Sequence, residues 1–136
     1  LRATSLSGRE TGAYRITLAA APPAPPLSTA PIRIGATVTG ALTSTDFILD
    51  DDIFADCYTF EGRGGTSYRV TMKSEAFDTF LAVFPGRTCE GDELGSNDDD
   101  EAEDGTDSGL TVTLPSSGTY SIRANSLSSD TTGAYT

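Results

Sequence analysis

Short segments that alternate apolar and polar residues constrain the fold of this chain more than any other feature. In the segment YRITL, Tyr14, Ile16 and Leu18 would lie on one face of a strand and the two residues between them on the other. Five further segments alternate in the same way: VTGAL (38–42), CYTF (57–60), SYRVTM (67–72), LTVTL (110–114) and TYSIRA (119–124). A period of two is typical of a strand that buries one face.

The rest of the pattern also favours strands. The segment TFLAVF (79–84) is apolar on both faces, which is typical of a central strand or of one covered on both sides. Glycine and proline mark turns at 62–65, 85–86 and 115–118. No long segment has the helical period of 3.6 residues, although a single helical turn would fit residues 74–78. We therefore predict an all-β fold, a β-sandwich or jelly roll of about eight antiparallel strands without substantial helix.

The two ends of the chain carry nearly the same sequence. A shift of 121 positions aligns Leu1–Arg15 with Ile122–Thr136 without a gap, and both segments contain the tripeptide Gly-Ala-Tyr, at 12–14 and at 133–135. Such a match predicts a tandem repeat in a longer protein. Gly12–Leu18 would then be the last strand of a preceding unit.

The repeat divides the chain into three parts. Residues 1–18 would be the end of the preceding repeat, residues 19–31 a linker rich in proline and alanine, and residues 32–136 the sandwich module. Prolines favour the extended polyproline II conformation, so we interpret the linker as a semi-rigid spacer. The alternative is a loop inside one domain.

The charge of the chain excludes several classes of function. It has 20 acidic and 9 basic residues and no histidine. Nucleic acids and anionic membranes both require basic surfaces, and no apolar run reaches the roughly 20 residues of a membrane-spanning helix. A Ser-His-Asp triad is excluded, and no phosphate-binding glycine loop is present. We therefore predict a protein that is not an enzyme and binds neither nucleic acid nor membrane.

Several short motifs, taken in order, resemble one family. They cover about residues 32–136: Gly40-Ala41-Leu42, Asp56 to Phe60, Ser74 to Leu81, Asn97 to Asp99, Leu114 to Tyr120 and Gly133 to Tyr135. This series resembles the bacterial pre-peptidase C-terminal domain, a β-sandwich module of secreted peptidases and other extracellular proteins. The resemblance implies a non-catalytic module that serves in targeting, binding or structure, on a secreted or cell-surface bacterial protein.

An acidic segment departs from the family pattern. Residues 87–107 are longer and more acidic than the family implies, and ten of the acids lie between Glu90 and Asp107. Crowded carboxylates are relieved by Ca²⁺, which takes six to eight oxygen ligands, and the collagen-binding modules of clostridial collagenases, relatives of this family, hold calcium in a comparable loop. We predict calcium as a cofactor, with the ligands Asn97, Asp98, Asp99 and Asp107. The alternative is a solvated acidic surface.

The two cysteines and two further acids have structural interpretations. With no histidine, Cys57 and Cys89 are too few to hold zinc. In a secreted protein we expect them to form a disulfide that ties the acidic loop to a strand; the alternatives are a bridge between neighbouring units and free thiols. Asp56 and Asp78 stand at predicted strand ends, where we expect each carboxylate to accept hydrogen bonds from backbone N–H groups; the alternative is metal binding.

The sequence supports two alternative functional hypotheses. The first is a structural or interaction unit of a tandem-repeat stalk, fibre or adhesin, whose partners are neighbouring copies of the same module. Here Tyr14, Ile16 and Leu18 would pair with the edge of a neighbouring sandwich, in a last-strand position beside residues 120–124. The alternative is an accessory domain that holds a secreted peptidase or other hydrolase on an extracellular polymer, a protein fibre or a glycan.

Overall fold

The computed structural model describes residues 11–19, 28–100 and 105–136, except for the side chain of Asp51. These residues contain ten strands and one turn of 3₁₀-helix: β1 (Thr29–Pro31), β2 (Gly40–Leu42), β3 (Phe47–Ile48), the 3₁₀ turn (Asp50–Asp52), β4 (Phe54–Gly62), β5 (Ser67–Met72), β6 (Thr79–Pro85), β7 (Gly95–Asn97), β8 (Ser108–Thr113), β9 (Gly118–Ser126) and β10 (Gly133–Tyr135). The predicted all-β fold is confirmed. The count exceeds eight because β1, β3 and β7 have two or three residues each, too few to show a period of two.

The larger sheet has the strand order β1-β4-β9-β6-β7, and β3 also pairs with β4. Its centre is the antiparallel pair β4–β9, which runs in continuous register from Ala55 opposite Asn125 to Gly62 opposite Gly118. One strand departs from the predicted antiparallel arrangement, since β1 pairs with β4 in parallel. β1 lies within the segment interpreted as a linker, so the last three residues of that segment belong to the sandwich.

The facing layer consists of two shorter ladders, β2–β10 and β5–β8. Lys73 and Thr136 join these ladders by exchanging two backbone hydrogen bonds, of 2.8 and 2.9 Å. Side chains from both layers pack into one core: Leu42, Phe54, Phe60, Met72, Phe77, Leu81, Val83, Val112, Leu114, Tyr120, Ile122, Ala124 and Tyr135. The inward positions predicted from the alternation of SYRVTM and LTVTL face this core.

The outer face of the larger sheet is covered as well. Ala82 and Phe84 of β6 pack there with Cys57 and Cys89, and all four residues are buried. β6 therefore has apolar neighbours on both faces, which explains why the segment TFLAVF does not alternate.

The predicted last-strand position beside residues 120–124 is wrong. Strand β9 contains these residues and pairs with β4 on one side and β6 on the other, so neither edge is open. The chain crosses to the other layer after β9, and β10 pairs there with β2. Residues 11–19 belong to no strand and are exposed throughout, including Tyr14 (75%), Ile16 (50%) and Leu18 (92%).

Candidate functional site: the groove beside the last strand

An apolar groove of about 390 Å³ opens between β5 and residues 32–38, next to the end of β10. One wall consists of the inward side chains of β5, and the floor comes from the larger sheet. The apolar residues that line the groove are Ile32, Val38, Tyr58, Phe60, Tyr68, Val70, Met72, Leu81, Ile122, Ala124 and Tyr135. The groove is therefore a partly open region of the core.

Both rims of the groove present protein backbone. Among the described strands, β5 pairs only with β8, so its other edge faces the groove. Lys73 directs its N–H and C=O groups to that side. Backbone groups of an antiparallel strand alternate in direction, so Thr71 and Arg69 direct theirs to the same side. On the other rim, residues 36–39 precede β2 and belong to no strand.

Strand β10 is anchored beside this groove by the hydroxyl group of Tyr135. This hydroxyl donates a hydrogen bond to Oδ2 of Asp56 at 2.5 Å and lies 2.6 Å from the hydroxyl of Tyr58. Burial raises the pKa of the Asp56 carboxyl; the hydrogen bond from Tyr135 opposes this rise, and nearby Asp46 adds to it. Burial, together with both hydrogen bonds, also raises the pKa of Tyr135.

We predicted that Asp56 would accept hydrogen bonds from backbone N–H groups, whereas its Oδ2 atom accepts one from the Tyr135 hydroxyl. Asp56 and Tyr135 are 79 positions apart in the sequence, and no local pattern signals the contact. The structure also explains the glycine of the motif Gly40-Ala41-Leu42. Gly40 lies directly opposite Tyr135 in the β2–β10 ladder, and a Cβ atom at Gly40 would overlap the tyrosine ring.

Three of the four predicted calcium ligands, Asn97, Asp98 and Asp107, each accept a hydrogen bond from a backbone N–H group, and the fourth, Asp99, is exposed. The side-chain oxygen of Asn97 accepts the N–H of Gly109, and Oδ1 of Asp107 accepts the N–H of Ser74. Asp98 accepts the N–H of Asp99. Within residues 11–19, 28–100 and 105–136, no three acidic or cysteine residues form a group able to hold a metal ion. Glu101, Glu103 and Asp104 lie outside the described residues, and calcium binding stays a prediction.

Asp78 has an unsatisfied side-chain oxygen close to the acidic loop. Its Oδ1 atom is buried, and it has no hydrogen-bond partner among the described residues. Burial raises the pKa of Asp78, and the negative charges of Asp99 and Asp98 add to this effect. The structure therefore brings part of the acidic loop toward Asp78. We expected the Asp78 carboxylate to accept hydrogen bonds from backbone N–H groups, and its Oδ1 atom accepts none from the described residues.

The structure brings Cys57 and Cys89 together in a disulfide, with Cα atoms 6.1 Å apart, although the two residues are 32 positions apart in sequence. Both cysteines are buried. The N–H of Cys89 donates to the hydroxyl of Ser121 in β9 at 3.0 Å. The disulfide therefore attaches the start of the acidic loop to the outer face of the larger sheet.

The described residues thus form a β-sandwich with an apolar groove. The sequence model of the family described as "Bacterial pre-peptidase C-terminal domain" matches residues 54–126, more than half of the 136 residues. The chain belongs to this family, whose members are non-catalytic domains. The match confirms the resemblance found in the motifs.

A solved structure has the same fold. It is the 1.0 Å crystal structure of the pre-peptidase C-terminal domain of a collagenase from Bacillus anthracis. The TM-score is 0.59 at 15% identity, and the alignment covers 82% of this chain and 93% of that domain. No curated protein matched the sequence. In the described part of the chain, no helix is long and apolar enough to span a membrane.

Proposed function

We propose that this chain is a non-catalytic extracellular module of a tandem-repeat surface protein, stalk or fibre, and that residues 12–18 link it to neighbouring copies. One observation carries the proposal. Residues 11–19 lie outside the sandwich as an exposed segment, and their Gly-Ala-Tyr sequence is that of the module's own last strand, β10.

The exposure of this segment supports an interaction role. Single exposed apolar side chains are common on protein surfaces. Here three large ones, Tyr14, Ile16 and Leu18, follow at alternate positions and are all at least half exposed. A strand that pairs with a sheet edge would bury all three on one side.

An extracellular location has separate support. The buried disulfide Cys57–Cys89 suits an oxidising environment. Domains of this family occur in secreted peptidases, and the chain shares its fold with such a domain of a collagenase. A strongly acidic surface, with a net charge of −11, also keeps a secreted protein soluble.

The molar mass of the chain in solution tests the proposed linkage. We expect sedimentation equilibrium to show association that rises with protein concentration. The Ile16→Asp and Leu18→Asp variants should each raise the dissociation constant by about 30-fold or more, since each puts a charge in place of an apolar side chain that the association would bury. Thr17→Asp is the matched control, because it adds the same charge on the opposite face. A monomer at every concentration, or equal effects of all three variants, would contradict the proposal.

The alternative function is targeting of a hydrolase to an extracellular polymer. The observation that favours it is the shared fold with a collagenase domain. Cosedimentation with insoluble collagen and with insoluble glycans, in calcium and in EDTA, tests it directly. Retention by one polymer and not the others would favour targeting, and an equal low background on all of them would count against it.

A further inference from the structure

We propose that the position of β10 accepts residues Gly12–Leu18 of a second copy, in place of the resident residues 133–136, and that this exchange joins the copies. The inference rests on the proposed linking function and identifies the surface that performs it. The accepting surface comprises the β10 position and the groove that extends from it along β5.

The register of the exchange follows from the shared tripeptide. Gly12, Ala13 and Tyr14 align with Gly133, Ala134 and Tyr135, so Arg15 takes the position of Thr136. Thr136 lies directly opposite Lys73, as their two reciprocal hydrogen bonds show. In an antiparallel pair, each step along one strand moves one step back along its partner. Ile16 therefore lies opposite Met72, Thr17 opposite Thr71 and Leu18 opposite Val70.

The side chains match the faces of this register. Directly opposite residues point to the same side of a sheet. Met72 is buried in the core and Val70 packs against it, so Ile16 and Leu18 would enter the groove. Thr71 is exposed, and Thr17 would be exposed beside it. A shift by one residue would reverse this arrangement and place Thr17 in the core.

The other rim supports the same register. Gly40 lies opposite Tyr135 in the β2–β10 ladder. Continued by two residues, this ladder places Val38 opposite Ile16. Val38 is half-buried and lines the groove, so Ile16 would lie between apolar side chains from both rims. A strand in this position would pair with backbone on both sides, which a small apolar ligand cannot do.

The exchanged strand would also preserve the anchor of β10. Tyr14 carries the same hydroxyl as Tyr135 and would take over its hydrogen bonds to Asp56 and Tyr58. Compared with residues 133–136, Gly12–Leu18 would place two further apolar side chains, Ile16 and Leu18, against the core.

Site-specific cross-linking tests the register in the full chain. Chains with Thr17→Cys and with Thr71→Cys are mixed and treated with a short bismaleimide; the native cysteines form a buried disulfide and do not react. We expect a cross-linked heterodimer, since directly opposite Cβ atoms lie about 5 Å apart. The control partner is Thr113→Cys, which is also exposed but lies on the far strand β8. Equal yields with the two partners, or association without any product, would overturn the inference while the linking function stands.

A second experiment fills the groove within one chain. Addition of Ile-Thr-Leu after Thr136 places the residues of positions 16–18 directly beside β5. We expect the dissociation constant for self-association to rise by at least about tenfold, whereas added Asp-Thr-Asp should leave it unchanged. Equal effects of the two extensions would overturn the inference.

A labelled peptide of sequence GAYRITL separates the two proposals when the chain does not associate. Fluorescence anisotropy measures its binding to the chain, and the chain extended by Ile-Thr-Leu serves as the blocked control. Binding that the extension abolishes would support the groove even if the linking function fails. A chain that is monomeric and does not bind the peptide would contradict both proposals.

Discussion

The hydroxyl of Tyr135 donates a hydrogen bond to Oδ2 of Asp56 at 2.5 Å. This bond joins the short strand β10 to β4 in the opposite sheet, across the edge of the core. Tyr58 completes the group, with its hydroxyl 2.6 Å from that of Tyr135. A strand of three residues has few backbone hydrogen bonds, so this partly buried group of polar atoms adds to its attachment.

Removal of the Tyr135 hydroxyl should destabilise the module. In the Tyr135→Phe variant, Asp56 loses its hydrogen-bond donor in a partly buried site, and we expect the free energy of unfolding to fall by about 1–3 kcal/mol. Urea unfolding at low protein concentration measures this change. Tyr14→Phe removes the same hydroxyl from a side chain that is 75% exposed, and it should leave the stability of the monomer unaltered. Equal losses in the two variants would argue against the anchoring role.

The same carboxyl predicts a pH dependence. Because burial raises the pKa of Asp56 above its ordinary value of 3.8, the folded chain holds this proton at pH values where the unfolded chain has released it. The resulting stabilisation is complete below pH 3.8 and is lost as the pH rises through the higher folded pKa.

We therefore expect the wild-type chain to lose stability relative to Asp56→Asn as the pH rises from about 4. Urea titrations over a series of pH values measure the difference between the two chains. Asp92→Asn, a change at an exposed acid, controls for net charge and should not reproduce the trend. A difference that is constant with pH, or one that changes with the opposite sign, would contradict the prediction.

The close contact between Gly40 and Tyr135 predicts a steric effect. A Cβ atom at position 40 would overlap the Tyr135 ring, and we expect Gly40→Ala to lower the free energy of unfolding by about 1–3 kcal/mol. Gly118→Ala is the control, since a Cβ there meets no atom within 4 Å. In a Tyr135→Ala background, Gly40→Ala should lower the free energy of unfolding much less, because the ring that the new Cβ atom would overlap is absent. Simple addition of the two losses would argue against this contact.

The disulfide predicts a measurable stabilisation. Cys57 and Cys89 are 32 positions apart, and a closed loop of this size corresponds to about 3–4 kcal/mol in the chain-entropy model. The Cys57→Ala/Cys89→Ala variant should unfold at a correspondingly lower urea concentration, and reductant should destabilise only the wild-type chain. A thiol assay of the denatured, unreduced chain gives an independent check. Two free thiols, or a covalent dimer, would contradict an intramolecular bridge.

Calcium binding in the acidic loop can be tested by thermal melting. Ca²⁺ at 100 times its dissociation constant would stabilise the folded chain by about 2.7 kcal/mol, and EDTA should reverse the rise in the midpoint. The Asp98→Asn/Asp99→Asn variant should lose this response. Glu75→Gln, a change at an exposed acid outside the loop, should retain it. An unchanged wild-type midpoint would contradict the calcium prediction.

Much of the fold could be predicted because it depends on local patterns. The alternation of Tyr68, Val70 and Met72 determines which face of β5 lies against the core, and the apolar run of β6 indicates that both its faces are covered. Burial of apolar surface depends on the period of the side chains, and the sequence displays that period directly. The short strands β1, β3 and β7 could not be predicted, because their pairing depends on partners elsewhere in the chain.

The family, the strand faces and the Gly-Ala-Tyr shared by residues 12–14 and 133–135 could be recognised in the sequence alone. The sheet that receives the last strand could not, because it depends on how the two layers pack. After β9 the chain can pair beside it or cross to the other layer, and the choice depends on contacts distant in sequence: Tyr135 with Asp56, its ring with Gly40, and Thr136 with Lys73. Such contacts leave no periodic signal, because each joins residues that are adjacent only after the two layers have packed.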